Sequence, residues 1–372
     1  MSHPETHIRY ATLEMPTAGH LTEITPGVHW IRMPLPFALD HINLWLLEDN
    51  IEGREGWTVI DAGASTEPTR AAWSAIFDDH FRGLPILRVI CTHFHPDHLG
   101  LAGWLCSGAD DRGWAAQLWM NYAEYAAARV WVGTGSKNQG DTAHSNRVAD
   151  VQRMIAYVQQ HGVTDPETLE KLQKRRDVYP SLVPEVPASF RRIFPHESIR
   201  VGPHHWRVVP GYGHSPEHCA LYCEALNLVI SGDMVLPRIS TNMSVWAQEP
   251  DADPLRLYLE SLHAFDQLPD DVLVLPSHGK PFGAAAGTRM GGIKTRTAQL
   301  REHHDARLEE TLAACATPAT AAQVMPVLFR RELDAHQLTF ALGETISHLN
   351  YLWHAGQLRR FIEDGYTRFV RV

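Results

Sequence analysis

The chain has 372 residues, enough for two domains of ordinary size or one large domain with an appendage. A hydrophobic share of 44% supports a sizeable core, while a formal net charge of −10 disfavours general binding to nucleic acid or to an anionic membrane surface. The five scattered cysteines form no disulfide framework, MSHPETHIRYATLEM at the N-terminus holds no apolar core of signal-peptide length, and no stretch approaches the roughly 20 apolar residues that span a bilayer, so the expected compartment is a reducing cytoplasm.

Taken in chain order, VHWIRM, INLWLLE and WTVIDAG read as strands within 23–61. Residues 66–77 read as a helix capped by Thr66 or Ser65, and ILRVICTH as a fully apolar strand ending at His93. Residues 105–190 read as a helical insertion. It holds the runs WAAQLWMNYAEYAAARVWV, VADVQRMIAYVQQHG and DPETLEKLQKRRDVY, and the polar stretch GTGSKNQGDTAHSN is expected to form a mobile loop. Strands resume near residue 198 as SIRVG, WRVVPG, CALYCEA and NLVISGD, followed by a helix over 254–265 and the strand DVLVLPSHG. Cys219 and Cys223 fall inside CALYC, which reads as a buried strand and not as a thiolate site. From residue 286 onward the pattern is a long amphipathic helix (292–315), a second helical unit, a third helix ending near Gly356, and a hairpin in QLRRFIEDGYTRFVRV; this order is similar to a winged-helix module. The domains expected are therefore 1–285 and 286–372.

The strongest chemical signal is Thr92-His93-Phe94-His95-Pro96-Asp97-His98, directly after a buried strand. Four metal-competent side chains so close together cannot all point one way from a strand or a helix, whereas a turn at a strand end can fan them around a point. Imidazole and carboxylate donors without thiolates suit a borderline divalent ion in a catalytic site. Three further residues of ligand type end apolar strands: His214 in GYGHSP, Asp233 in VISGD and His278 in LVLPSHG. Each alone reads as an ordinary strand-end residue; in this order they read as one cage.

These motifs, with Asp61 in VIDAG, resemble the metallo-β-lactamase superfamily over residues 20–285. The resemblance implies a four-layer αββα sandwich with two divalent ions at one edge, of the zinc type, with iron or manganese as alternatives. It implies His93, His95 and His214 around one ion, Asp97, His98 and His278 around the other, Asp233 bridging, and Asp61 orienting the metal loop. A hydroxide shared by the ions would be the nucleophile. Asp97 is the residue expected to handle protons as well as bind metal. No G-x-S-x-G, P-loop or dinucleotide fingerprint competes for the catalytic role.

Weaker features surround this core. Trp119, Tyr122, Tyr125 and Trp131, with Met154 and Tyr157 later, read either as a lid that forms an apolar substrate pocket or as ordinary packing. His41 reads as a pocket residue or a structural turn residue, and Arg238 and Asn242 as contacts to an anionic substrate group or as surface residues. His218 falls outside the cage. The arginines Arg359, Arg360, Arg368 and Arg371 are interspersed with acidic residues, so the C-terminal module is expected to serve packing or homodimer formation and not nucleic-acid binding. The function expected is hydrolysis of an ester, thioester or lactone of a small or acyl substrate. A metal-dependent endoribonuclease or phosphodiesterase, and a mononuclear iron redox enzyme or non-catalytic metal binder, are the alternatives.

Overall fold

A computed structural model of the protein describes residues 7–133, 141–174, 178–283 and 291–372. The first half holds strands β1 (Leu21–Thr25), β2 (Val28–Pro34), β3 (His41–Ile51) and β4 (Arg54–Ile60), helix α1 (Glu67–Asp79) and strand β5 (Ile86–Ile90). Then come the short helices α2 (Pro96–Leu99) and α3 (Ala102–Cys106), strand β6 (Gln117–Asn121), helices α4 (Tyr122–Val132), α5 (Asp141–Gln160), α6 (Pro166–Lys174) and α7 (Val178–Leu182), and strand β7 (Phe190–Ile193). The second half holds β8 (Ser198–Val201), β9 (His204–Gly211), β10 (His218–Cys223), β11 (Leu228–Gly232), α8 (Pro254–Asp266) and β12 (Leu273–Pro276). The C-terminal elements are α9 (Ile293–Ala314), α10 (Ala321–Leu328), α11 (Ala335–His354) and the hairpin β13 (Leu358–Glu363) and β14 (Tyr366–Arg371).

Strands β1 to β7 form one sheet in sequence order and β8 to β12 a second, in the order β12-β11-β10-β9-β8. Both are mixed: hairpins give the antiparallel pairs, and crossovers make β4–β5–β6–β7 and β11–β12 parallel. Side chains alternate across each strand, and along the central strands both faces are buried, so those strands feed two cores. Val28, Trp30, Trp45, Leu47 and Ile60 meet Trp206, Val208, Leu221 and Ile230 between the sheets. Ile31, Met33, Leu44, Leu46, Trp57 and Val59 face outward and pack under Trp73, Ile76 and Phe77 of α1. Val209, Ala220, Tyr222 and Val229 face the other way, under Leu255, Tyr258, Leu262 and Phe265 of α8. The result is the four-layer αββα sandwich that the resemblance implied.

Several sequence expectations find direct physical support. Thr66 caps α1, its hydroxyl accepting from the Thr69 amide at 3.3 Å. All five cysteines are free and buried, with Cys219 and Cys223 on β10. In the C-terminal hairpin, Asp364 and Gly365 both take positive φ, the turn that matches strand twist. The run 114–132 corrects the reading of a single helix. QLWMN within it is strand β6, which continues the sheet beside β5, and the helix begins only at Tyr122. FRRI, which the helical reading passed over, is strand β7. The helical part of the insertion therefore lies between β6 and β7. Of the stretch expected to be a loop over 133–146, residues 134–140 lie outside the described residues, and helix α5 already begins at Asp141. Residues 175–177 of the third helical run and the boundary at 285/286 also lie outside the described residues.

The C-terminal module is part of the outer helical layer. Ile293, Leu300 and Leu308 of α9 and Leu342, Ile346, Leu349 and Leu352 of α11 share one apolar core with α8 and the second sheet. This is the packing role expected for it. No described helix is long and apolar enough to cross a membrane. Ile346→Ala, at a position with no exposed surface, is expected to lower the unfolding free energy by about 2–5 kcal/mol in a denaturant titration. A loss below about 0.5 kcal/mol would mean that the module is not continuous with the core.

Candidate metal centre

Five parallel or adjoining strand ends deliver the polar residues to one edge of the sandwich. β4 leads into Asp61, β5 into the segment His93–His98, β9 into His214, β11 into Asp233 and β12 into His278. Two backbone hydrogen bonds stitch this edge across the two sheets, Cys219 N to Thr92 O at 2.9 Å and Asn43 N to Ser277 O at 2.7 Å, and a third, Ser277 N to Gly232 O at 3.2 Å, joins the ends of β11 and β12 within the second sheet. Asn43 also donates its side-chain amide to Pro276 O and Gly279 O, both at 2.8 Å, which fixes the turn that carries His278. Gly232 has φ of +54°, and a Cβ there would fall 2.2 Å from His218 Nε2, so the close approach needs glycine.

The ligand-type atoms fall into three overlapping groups: His93, His95 and His214; His93, His98 and Asp233; and Asp97, His98 and His278. His93 Nε2 lies 3.0 Å from His95 Nδ1 and 3.2 Å from His214 Nε2. Asp233 reaches both ends of the cluster, with Oδ2 3.4 Å from His214 Nε2 and Oδ1 3.4 Å from His278 Nε2 and 3.6 Å from His98 Nε2. Asp97 Oδ2 lies 3.3 Å from His278 Nε2 and 3.7 Å from His98 Nε2. Two donors on one tetrahedral ion at about 2.0–2.1 Å sit about 3.3 Å apart, so these spacings suit shared cations. His98 Nε2 and Asp233 Oδ1 are fully buried without a hydrogen-bond partner, as expected of atoms whose partner is a cation. Nitrogen and carboxylate oxygen donors, with no thiolate, fit a zinc-type pair. His93 and His98 are wholly buried, whereas His95, Asp97 and His214 are partly exposed and mark the open side.

The second nitrogen of each ring is also accounted for. His214 Nδ1 donates to the Asn242 carbonyl at 2.8 Å and His278 Nδ1 to the His41 carbonyl at 2.8 Å, since a carbonyl can only accept. His98 Nδ1 donates to Asp61 Oδ2 at 2.8 Å. Thr92 gives its hydroxyl hydrogen to Asp61 Oδ2 at 2.9 Å and so accepts from His93 Nδ1 at 3.0 Å. In all four rings this leaves Nε2 as the nitrogen turned into the cluster. Asp61 makes this possible from a left-handed backbone (φ 64°), with Oδ1 accepting from Thr92 N at 2.7 Å.

Burial, reinforced by neighbouring imidazoles, holds His93 well below the ordinary histidine value and His95 at about 3. His98 and His278 are buried too, which would lower them, but Asp61, Asp97 and Asp233 outweigh this. All three push His98 well up, and Asp233 and Asp97 push His278 to about 10. Burial would raise Asp97, yet His98 and His278 hold it at about 2. The cluster is thus a set of opposed charges and inward-facing ring nitrogens, where two dications would take the place of protons.

Sequence reasoning missed Glu124. It sits in the first turn of α4, and its buried carboxylate accepts from Phe94 N at 2.9 Å, Ser215 Oγ at 2.7 Å and Glu217 N at 2.6 Å. It therefore ties the His93–His95 loop to the His214 loop. Burial lifts its pKa to about 7 against those three donors. His218, left outside the cage, starts β10 and accepts from Asp233 N at 3.2 Å, so it steadies a ligand without facing the cluster as one.

The residues expected to touch substrate take varied places. His41 supports the turn that carries His278: Nε2 accepts from Gly279 N at 3.0 Å, Nδ1 meets Asp40 Oδ1 at 2.6 Å, and its carbonyl accepts from His278 Nδ1. Trp119 lies on β6 between the guanidinium groups of Arg88 (4.5 Å) and Arg191 (4.2 Å). Tyr122 is 55% exposed and faces Phe190 and Arg192. Arg238 is exposed on the loop after Asp233. Tyr125 stacks on Phe190 at 3.8 Å. Trp131, by contrast, belongs to a run of rings that leaves the metal cluster. Phe94 is 4.8 Å from His95, Trp131 6.2 Å from Phe94, Trp246 5.5 Å from Trp131 and Phe340 6.1 Å from Trp246. Tyr179 packs on Trp131 at 5.7 Å and gives its hydroxyl to Phe94 O at 2.6 Å.

Comparison with known proteins agrees with this geometry. Residues 39–278 match the family model for the metallo-β-lactamase superfamily, and residues 308–372 match a metallo-β-lactamase-like C-terminal domain. The chain belongs to the metallo-β-lactamase superfamily, and its His/Asp clusters are those of a dinuclear metal-dependent hydrolase. It is 50% identical to a β-lactamase domain protein from Burkholderia ambifaria of known crystal structure, with a TM-score of 0.87 and 98% of each chain covered. It is 26% identical to the metallo-β-lactamase family protein TTHA1429 from Thermus thermophilus, with a TM-score of 0.72, 94% of this chain and 100% of that chain covered. It is also 25% identical to the probable metallo-hydrolase YqjP of Bacillus subtilis, over 88% of this chain and 92% of that protein.

His95→Ala or Asp233→Ala should lose at least one ion per chain by elemental analysis and most turnover. Two ions and full activity in either variant would contradict the cage. Glu124→Ala leaves two amides and a hydroxyl without their acceptor, and should cost about 2–4 kcal/mol in chemical denaturation. Stripping the metal with a chelator should lower the melting temperature of the wild-type protein, because cations held by the native state alone stabilise it. An unchanged melting curve would count against metal binding in this cluster.

Proposed function

We propose that the protein is a dizinc hydrolase that cleaves an ester, thioester or lactone in a small substrate carrying an apolar or acyl arm. The observation that carries the substrate class is the ring run from Phe94 through Trp131 and Trp246 to Phe340, which starts beside His95 on the open side of the cluster. Trp131, Trp246 and Phe340 are neither buried nor fully exposed, the state of a wall that an apolar ligand would cover. In this reading α4 and α7 of the insertion act as the rim of the pocket. The net charge of −10 supports a small substrate over a polyanion. The name of YqjP, a probable metallo-hydrolase, supports the reaction class. A linear primary-alkylsulfatase from Pseudomonas sp., 26% identical over 34% of this chain and 18% of that protein, places sulfate esters in the panel to be tested.

His93, His95 and His214 would hold one ion, Asp97, His98 and His278 the other, with Asp233 between them. Bound there, the ions would acidify a water and polarise the carbonyl of the scissile bond. The protein's own groups do the rest. Asp61, Thr92 and the carbonyls of His41 and Asn242 keep each imidazole in one orientation. Asp97, partly exposed and with one oxygen turned toward His278, would take up the proton given up by the acidified water and relay it to the leaving group. The aromatic wall holds the arm and excludes water from one flank.

The test is a panel of esters, thioesters, lactones, phosphodiesters, β-lactams and alkyl sulfates, with arms of two to about ten carbons. Acyl substrates should turn over, and kcat/KM should rise with arm length by up to about fourfold per methylene. Trp246→Ala should raise KM at least about tenfold for the longest arm and leave the two-carbon substrate unchanged. Turnover confined to phosphodiesters, or arm length without effect in both proteins, would overturn the reading.

A further inference from the structure

Of the four Nδ1 contacts around the cluster, that of His214 differs in where its acceptor comes from. Thr92 and Asp61 belong to the strand ends that bear the ligands, and His41 begins β3 in the first sheet. Asn242 lies on the loop between Asp233 and α8, with no regular structure of its own. What sets that loop is helix α11. Asn242 donates its side-chain amide to Glu344 Oε2 at 2.8 Å and to Phe340 O at 3.4 Å, and its Oδ1 accepts from Ser244 Oγ at 2.7 Å. Val245 N donates to Gly343 O at 3.1 Å. Farther along the helix, Asn350 donates to Pro250 O at 3.0 Å and Ala252 O at 2.9 Å. The loop is laid along α11 and held at Phe340, Gly343, Glu344 and Asn350.

Two features show that this contact is built closely. Gly343 leaves no room for a side chain, since a Cβ would lie 2.7 Å from both Ser244 Oγ and Ser244 Cβ. Glu344 is 9% exposed, and a buried carboxylate is costly unless its oxygens are used. We propose that Glu344 is a positioning residue for the metal centre: through Asn242 it fixes the backbone carbonyl that orients His214, so the C-terminal module is a working part of the site as well as its outer packing. Phe340, one helical turn before Glu344, ends the aromatic wall on the same helix face. The inference rests on the metal-site reading but not on the identity of the substrate.

The test uses full-length protein and the metals alone. Zinc affinity is measured by chelator competition, the Co(II)-loaded protein by its visible spectrum, and the metal-free protein by its melting temperature. Glu344→Ala and Asn242→Ala should each weaken the more loosely held ion or the His214 ion by about 10–100-fold and alter the cobalt spectrum. The double variant should be no weaker than either single one, because both remove the same link. Glu344→Gln keeps an acceptor for the Asn242 amide and should return to within about threefold of wild type. Wild-type affinity and spectrum in Glu344→Ala overturn the proposal, including where that variant melts earlier, since stability lost without any change at the metal makes Glu344 a packing residue only. Should Glu344→Ala fail to fold, Asn242→Ala carries the same decision. Two ions in wild type with unchanged variants defeat this inference alone, whereas a wild-type protein that takes up no metal defeats the metal centre with it.

Discussion

An imidazole can ligate through either nitrogen, and five of them crowded at one sheet edge would present a mixture of rings unless each is held in one tautomer. The structure meets this need by occupying Nδ1 of His93, His98, His214 and His278 with a hydroxyl, a carboxylate and two backbone carbonyls. The price is paid by the surroundings: a left-handed aspartate at Asp61, a glycine at 232 pressed against His218, and a buried glutamate at 124 that joins two loops. Such departures from ordinary backbone and burial persist only where the rest of the fold over-determines them. Here the two sheets and their cross-links do so.

Because β4 and β5 run parallel in one sheet and β11 and β12 in the other, their carboxyl ends emerge together. The ligands sit at or just past those ends, on buried, hydrogen-bonded residues, which makes the strand ends precise carriers of side chains. The open flank is different in kind. Trp131, Tyr179, Trp246 and Phe340 come from four separate segments, and their side chains meet through ring contacts. A rigid polar floor beside an apolar wall is the division of labour expected of an enzyme that fixes one reactive bond and tolerates variation in the attached group.

The seven ligand-type residues were legible in the sequence because each one ends or closely follows an apolar run. A buried strand that stops at His or Asp delivers a polar group to the sheet edge, where loops gather and sites form. Asp61 was legible for the same reason. The supporting residues were not. Glu124 acts on residues 30 to 93 positions away, and Asn242 meets Glu344 102 positions away, so no local pattern marks them. Strand β6 was hidden in an Ala- and aromatic-rich run whose composition favours helix, and its strand character comes from pairing with β5 and β7. Trp119 sits where Arg88 and Arg191 reach it from those same neighbouring strands, a position that chain order beside a metal motif does not disclose.

The C-terminal module shows why packing and site roles need not be alternatives. A hydrophobic stripe on α11 buries Leu342, Ile346, Leu349 and Leu352 against α8 and α9, which fixes the helix in rotation and height. Once it is fixed, the backbone at Phe340 and Glu344 has a defined position relative to the loop after Asp233, and only the side chains remain to be ordered. Burial thus sets the polar contact, and the polar contact sets a carbonyl. That carbonyl leaves His214 one nitrogen to offer. A helix that served only to cover the sheet would need no buried carboxylate on its inner face, and an apolar residue there would cover it better. Glu344 therefore belongs with the ligand-orienting groups rather than with the core, although it reaches the metal cluster only through a neighbour.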